Sequence, residues 1–223
     1  MDPSKVSVFK TYDKPRGQGG ASSFATFMII GPTCFFLGIL FSSFPYDYPL
    51  LWTSATTPDS YYNFIENHIK FMHASPPIIP RILHIAVSVG FIGLFTKLFK
   101  PSEANLLFDG ASLVLYVVGV VVYITNIVKG MRIVTLGLYG EASAPEGELG
   151  VGREDSLRVL AASNTILALV LVGVLVLQAG QWYAERKEQD EVEKIEKEWE
   201  ERKAGRSGSG SGHATRSATK KKQ

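Results

Sequence analysis

Four stretches of the chain are almost free of charge, and they set the expected architecture. Phe24 to Phe44 and Val159 to Trp182 carry no charged residue, and Leu106 to Val128 carries only Asp109, near its start. Each is long enough for the roughly 20 residues that a helix needs to cross about 30 Å of hydrocarbon. Ile78 to Phe99 is weaker. Arg81 and Lys97 stand near its ends, His84 lies inside it, and its uncharged interior runs only from Ile82 to Thr96. Long basic side chains at the end of a span lift their charge to the interface, so this stretch also reads as a span. A buried or re-entrant segment is the alternative, and it would leave the two termini on opposite sides of the bilayer.

The pattern predicts an all-α integral membrane protein, a four-transmembrane-helix bundle. A polar lead, 1–22, precedes a membrane domain, 23–183, with spans at about 24–44, 78–99, 106–128 and 159–182 and loops at 45–77 and 129–158. A tail, 184–223, follows: a charged helix over 184–203, then a flexible, disordered basic end over 204–223. The first span is preceded by a polar lead of more than twenty residues and exceeds the apolar core of a secretory signal, so it reads as retained.

Charge then orients the bundle. Among the 23 Lys and Arg residues, four lie in the lead (Lys5, Lys10, Lys14, Arg16), two in the turn between spans two and three (Lys97, Lys100), and eleven from Arg186 onward. The other side holds five: Lys70, Lys129, Arg132, Arg153 and Arg158. Basic residues collect on the cytosolic side, so both termini are expected in the cytosol and the two long loops in the lumen or outside. The net charge of +2 adds nothing to this, and no nucleic-acid partner is expected. A single cysteine, Cys34, excludes an internal disulfide and any Cys-based metal cluster.

The first loop opens on Phe44-Pro45-Tyr46-Asp47-Tyr48-Pro49, with Trp52, Tyr61 and Tyr62 close behind. One reading is an interfacial aromatic belt with proline stopping the helix. The other is a stiff docking surface for another membrane protein. In the last loop Arg132 to Tyr139 reads as a short extended piece. Within the spans, Gly31, Gly38 and Ser42 share a helical face, and Gly173 and Gly180 repeat the spacing of seven. Small residues let helices approach closely, either within the protein's own bundle or in a groove that receives a client's span. Asn126, Asn164, Gln178 and Gln181 are placed to hydrogen-bond across helices in both cases.

An ionisable residue in lipid is a functional hypothesis by default. Asp109 lies about one turn from a span end, within reach of water, Lys100 or Lys97, and reads as structural. His84 reads as a packing residue, since no second histidine or acid stands at helical spacing to complete a metal site. No Ser-His-Asp set, Gly-rich phosphate loop or carboxylate pair is apparent, so neither a catalytic residue nor a cofactor is assigned. Transporters carry deeper ionisable sets or repeated broken helices, and neither is visible. The chain ends Lys220-Lys221-Lys222-Gln223. Lys220 and Lys221, at the fourth and third positions from the end of a cytosolic tail, fit a di-lysine retrieval signal of the endoplasmic reticulum. A basic tail touching anionic lipid is the alternative.

The run from Phe35 through Gly38, Ser42, Phe44 and Pro45-Tyr46-Asp47-Tyr48 resembles the first span and exit of the fungal secretory-component family. The likeness continues through Lys100-Pro101, Thr125-Asn126, Val176-Leu177-Gln178 and Trp182-Tyr183, so it covers roughly residues 24 to 183. The resemblance implies four spans, residence in the endoplasmic reticulum, and a membrane domain that shields nascent amino-acid permeases from aggregation. It also implies a cytosolic tail that presents vesicle-coat components. The lead before span one is longer than that family suggests. Gly31, Gly38, Ser42, Pro45, Tyr46, Asp47, Tyr48, Asn164 and Gln178 are the expected client contacts within the bilayer and its lumenal edge. A structural four-span membrane organiser and a small transporter are the competing classes.

Overall fold

The computed structural model of the chain describes residues 19–53, 57–99, 103–140 and 151–209. These residues form α1 (Gly19–Leu51), α2 (Asp59–His73), α3 (Ile78–Leu98), α4 (Glu103–Val122), a π-helical turn (Tyr123–Val128), α5 (Lys129–Leu136) and α6 (Arg153–Ser209). The described residues contain no strand. Four helical segments are long and apolar enough to cross a membrane: Phe24–Leu51, Ile78–Leu98, Leu106–Leu136 and Arg153–Ala204. The expected four-helix membrane architecture is therefore present. The chain divides into two compact units, Met1–Gln178 and Ala179–Gln223.

In the first unit each span buries one stripe at helical spacing and leaves the rest of its circumference apolar and outward-facing, as a lipid-embedded helix requires. On α1 the stripe is Ala25, Ile29, Thr33 and Phe36; on α4 it is Asp109, Ser112 and Tyr116; on α6 it includes Leu160, Leu167, Leu171 and Val174. Ile29, Leu94, Tyr116 and Val174 pack into one core layer, and Phe36, Ile127, Leu160, Leu167 and Leu171 into the next.

The tightest glycine contacts are made by α3, while Gly119, Gly130 and Gly173 bring Leu167, Leu160 and Leu115 to within 3.2–3.3 Å of their Cβ positions. A Cβ on Gly93 would sit 3.0 Å from the Ala25 carbonyl oxygen and 2.9 Å from Met28 Cβ, so α1 and α3 touch backbone to backbone here. A Cβ on Gly90 would fall onto the ring of Tyr116, whose hydroxyl donates to the Val87 carbonyl at 3.2 Å. Gly31 and Gly38 have nothing within 4 Å of the corresponding position. Together with Ser42 they lie on the exposed face of α1. Packing within the protein's own bundle, one reading of that triplet, is thus supplied elsewhere.

Both loops differ from expectation. α1 does not stop at Pro45; it continues through Pro45 and Pro49 to Leu51. Proline removes one backbone donor and crowds the preceding turn, but a helix held by neighbouring elements tolerates this at membrane depth. The remainder of the first loop contains α2, an amphipathic helix whose buried Tyr62 and Ile65 are followed at helical spacing by the half-buried Ile69. Asp59 in its first turn and Lys70 and His73 in its last complement the helix dipole. The piece from Arg132 to Leu136 is helical rather than extended, the end of α5. Gly137 closes it with a left-handed φ of 65°, and the Leu138 amide returns to the Ile133 carbonyl at 3.1 Å.

In the second unit the backbone is helical to Ser209, which carries regular structure past 203, where a flexible end was expected. Glu193 and Lys197 pair at 2.8 Å, and Arg186 stacks over Trp182 at 5.5 Å from its centroid. Ile195 and Trp199 are exposed apolar residues on this charged helix.

Candidate functional site

Two polar assemblies lie within the first unit. The first joins α3, α4 and α6. Lys97 Nζ donates to Gln178 Oε1 at 2.8 Å and lies 3.4 Å from Asp109 Oδ1. Gln178 Nε2 in turn donates to Ser112 Oγ at 3.0 Å. The side chains of Lys97 and Asp109 are only 6% and 2% exposed. The acid expected near water or a lysine is therefore buried, with Lys97 as its partner; Lys100, the other expected partner, lies outside the described residues. A buried ion pair adds little net stability over an apolar replacement, but removal of one partner leaves a costly buried charge.

The second assembly surrounds a partly open cavity of about 150 Å³. Phe36, Leu40, Ile65, Leu83 and Leu167 give it apolar walls, and Tyr46, Asp47, His68 and Asn164 give it its polar groups. Asn164 Nδ2 donates to Asp47 Oδ2 at 2.9 Å, joining α6 to α1. The rings of Tyr46 and His68 stack with centroids 4.2 Å apart. Tyr61 donates to the Tyr46 carbonyl at 2.9 Å; burial first, then the neighbouring Asp47 carboxylate, pushes its phenol pKa upward. The π-helical turn contributes Tyr123 and Ile127 to the lining. Such turns widen a helix locally and are common at functional sites.

α2 supplies the cavity wall through Ile65, His68, Ile69 and Met72, and it is tied to the start of α6. Arg153 Nε lies 2.6 Å from Glu66 Oε2, Lys70 Nζ lies 2.6 Å from Glu66 Oε1, and Arg158 donates to the Tyr62 hydroxyl at 2.7 Å. Burial raises the Glu66 pKa, but the hydrogen bonds and charges of Lys70 and Arg153 outweigh it and hold the carboxyl below its ordinary value. Leu50, Tyr62, Ile65, Val134, Leu157 and Ala161 form the apolar layer beneath this clamp.

The structure thus brings Tyr46, Asp47 and Asn164 together at one cavity. It places Gln178 in the separate Lys97 network. Gly31, Gly38, Ser42, Pro45 and Tyr48 are on the outer surface, where Phe44, Tyr48 and Trp52 form a ladder of rings 5.5 to 5.9 Å apart along α1. Lys220 and Lys221 lie outside the described residues. Sequence reasoning missed the clamp residues Glu66, Arg153 and Arg158, and it missed Gly90 and Gly93. The spacing of Tyr62, Ile65, Ile69 and Met72 was the available signal for α2. Among the described residues no group of three or more His, Cys, Asp or Glu is assembled as metal ligands. The arrangement offers hydrogen bonding, one carboxylate and an apolar hollow.

The chain is 24% identical over 177 residues to the secretory component protein psh3 of Schizosaccharomyces pombe, an alignment covering 79% of this chain and 75% of that one. No solved structure matches the chain. Residues 20–217 match the SHR3 chaperone family model, described as ER membrane protein SH3. The chain is a member of that family of endoplasmic-reticulum membrane chaperones of the secretory pathway.

Proposed function

We propose that the protein assists the folding of polytopic amino-acid permeases and their packaging into coated transport vesicles leaving the endoplasmic reticulum. Permease spans include polar and broken-helix segments that are costly in lipid until they find partners. The observation that carries this reading is the cavity where Tyr46, Asp47 and Asn164 meet, inside a member of an ER chaperone family. It offers hydrogen-bonding groups to a polar segment without any bond-making chemistry. The small-residue face of Gly31, Gly38 and Ser42 is outward and free of contacts within the bundle at both glycines, which suits a passing span.

In this reading both termini are cytosolic, α2 and the aromatic ladder stand at the lumenal side, and the charged helix beyond Tyr183 meets coat components. Lys220 and Lys221 return the protein to the endoplasmic reticulum. The test is traffic in cells that lack the protein. Amino-acid permeases stay in the endoplasmic reticulum while other plasma-membrane proteins travel normally. An equal delay of every cargo would defeat the permease-specific reading.

A further inference from the structure

We infer that the cavity at Asp47 receives a single basic side chain, Lys or Arg, from a membrane span of the client; this rests on the chaperone reading above. Asp47 lies near the end of the apolar α1 segment Phe24–Leu51, on a cavity walled mostly by apolar side chains, and a carboxylate in such surroundings calls for a partner. Its hydrogen-bonding side-chain partner among the described residues is neutral, Asn164. None of the ion pairs found among those residues involves Asp47. The contrast with Asp109 is direct: that acid has its cation built in, Lys97 at 3.4 Å, and both are buried.

The cavity's shape and chemistry narrow the occupant. About 150 Å³ admits a benzene-sized group or one long side chain, and not a whole helix. The walls are apolar apart from the groups around Asp47, so the stem of a Lys or Arg would pack on Leu40, Leu83 and Leu167 while its head reached the carboxylate. The stacked Tyr46–His68 pair offers a ring face beside that carboxylate. A basic residue on an unassembled span is costly in lipid, and pairing it at Asp47 would shield it until the span finds its own partner.

The test uses the full chain in phospholipid nanodiscs and a labelled Leu/Ala transmembrane peptide carrying one Arg a turn from its end, against the same peptide with Leu there. The wild-type chain should bind the Arg peptide about tenfold more tightly, the low end for close charge pairs across an interface. Asp47→Asn should abolish the preference and Asp47→Glu should retain it, and an unchanged unfolding temperature of the Asp47→Asn chain reports an intact fold. Equal binding of both peptides by the wild type, or a preference that survives Asp47→Asn, overturns the proposal. So does a preference missing in phosphatidylethanolamine discs together with a lipid ammonium group bound at Asp47, which would assign the site to lipid. Capture of amino-acid permeases from microsomes separates the two levels. Capture without an Arg preference removes only this inference. Absence of capture removes the permease reading, and the peptides still decide whether Asp47 reads a basic side chain.

Discussion

Arg153 and Glu66, 87 residues apart, meet at 2.6 Å and fasten the amphipathic α2 to the first turn of α6. With Lys70 on the other carboxylate oxygen, Glu66 serves two cations at once. α2 forms one wall of the Asp47 cavity, so this clamp helps to hold that wall in place, together with the buried Tyr62 and Ile65.

Breaking the clamp should free α2 without unfolding the spans. Glu66→Gln and Arg153→Gln should each raise the hydrogen exchange of α2. A double-mutant cycle should give a coupling of about 1 kcal/mol, since Arg153 is partly exposed. The sign of the pH dependence follows from the depressed Glu66 pKa. Its contribution is fully present above the ordinary carboxylate value of 4.5 and is lost as pH falls below it, through the folded-state value. The protection of α2, corrected for the fall of the intrinsic exchange rate with pH, should therefore decrease on acidification in the wild type and much less in Glu66→Gln.

The Lys97–Asp109 pair should be intolerant of single changes. Asp109→Leu or Lys97→Met leaves a buried charge behind and should cost about 3–5 kcal/mol, whereas the double variant should recover most of that loss. Thermal unfolding in detergent reads both. Gln178→Leu should fall between them, because it removes hydrogen bonds to Lys97 and Ser112 and leaves the ion pair.

Glycine substitutions should sort by contact. Gly93→Ala meets α1 backbone and should destabilise by about 1–3 kcal/mol. Gly31→Ala and Gly38→Ala meet open space and should be neutral or stabilising by up to about 1 kcal/mol, from helix propensity alone. If the outward face receives client spans, Gly31→Leu and Gly38→Leu should keep the fold and lower permease capture. Unfolding temperature and co-purification separate those effects.

Orientation has a direct readout. A glycosylation acceptor inserted between Glu141 and Gly150 should be modified, and one placed after Gly212 should not, if both termini face the cytosol. Gel mobility before and after deglycosylation decides it.

The four spans were legible because composition alone governs whether a segment partitions into lipid, and Phe24–Phe44 or Val159–Trp182 needs no tertiary knowledge. The pairing of Asp109 was legible in part for a related reason: lipid leaves a buried acid few partners, so Lys97 and Lys100 were both candidates, and Lys97 lies 3.4 Å away. The course of α1 was not. Pro45 and Pro49 carry a local signal to stop, and the contacts of Leu50 with Tyr62, Ile65 and Leu157 that hold the helix on to Leu51 are tertiary. Glycine roles were legible only in part for the same reason: Gly173 packs within the bundle, its Cβ position 3.2 Å from Leu115, while Gly31 and Gly38 do not. Spacing shows that Gly31 and Gly38 share a face, but not whether that face meets a neighbour, and α3 turned out to supply the contact through Gly93. Asp47 and Asn164 were each singled out, and only the folded bundle shows that they bond to one another.

In the proposed role this bundle keeps unassembled permease spans from aggregating. The most direct measurement is the native-gel mobility of a newly translated amino-acid permease in microsomes with and without the protein. The account predicts discrete monomeric permease when it is present and high-mass aggregates when it is absent, with an unrelated multispan protein unaffected. A permease that stays equally monomeric in both preparations would contradict it.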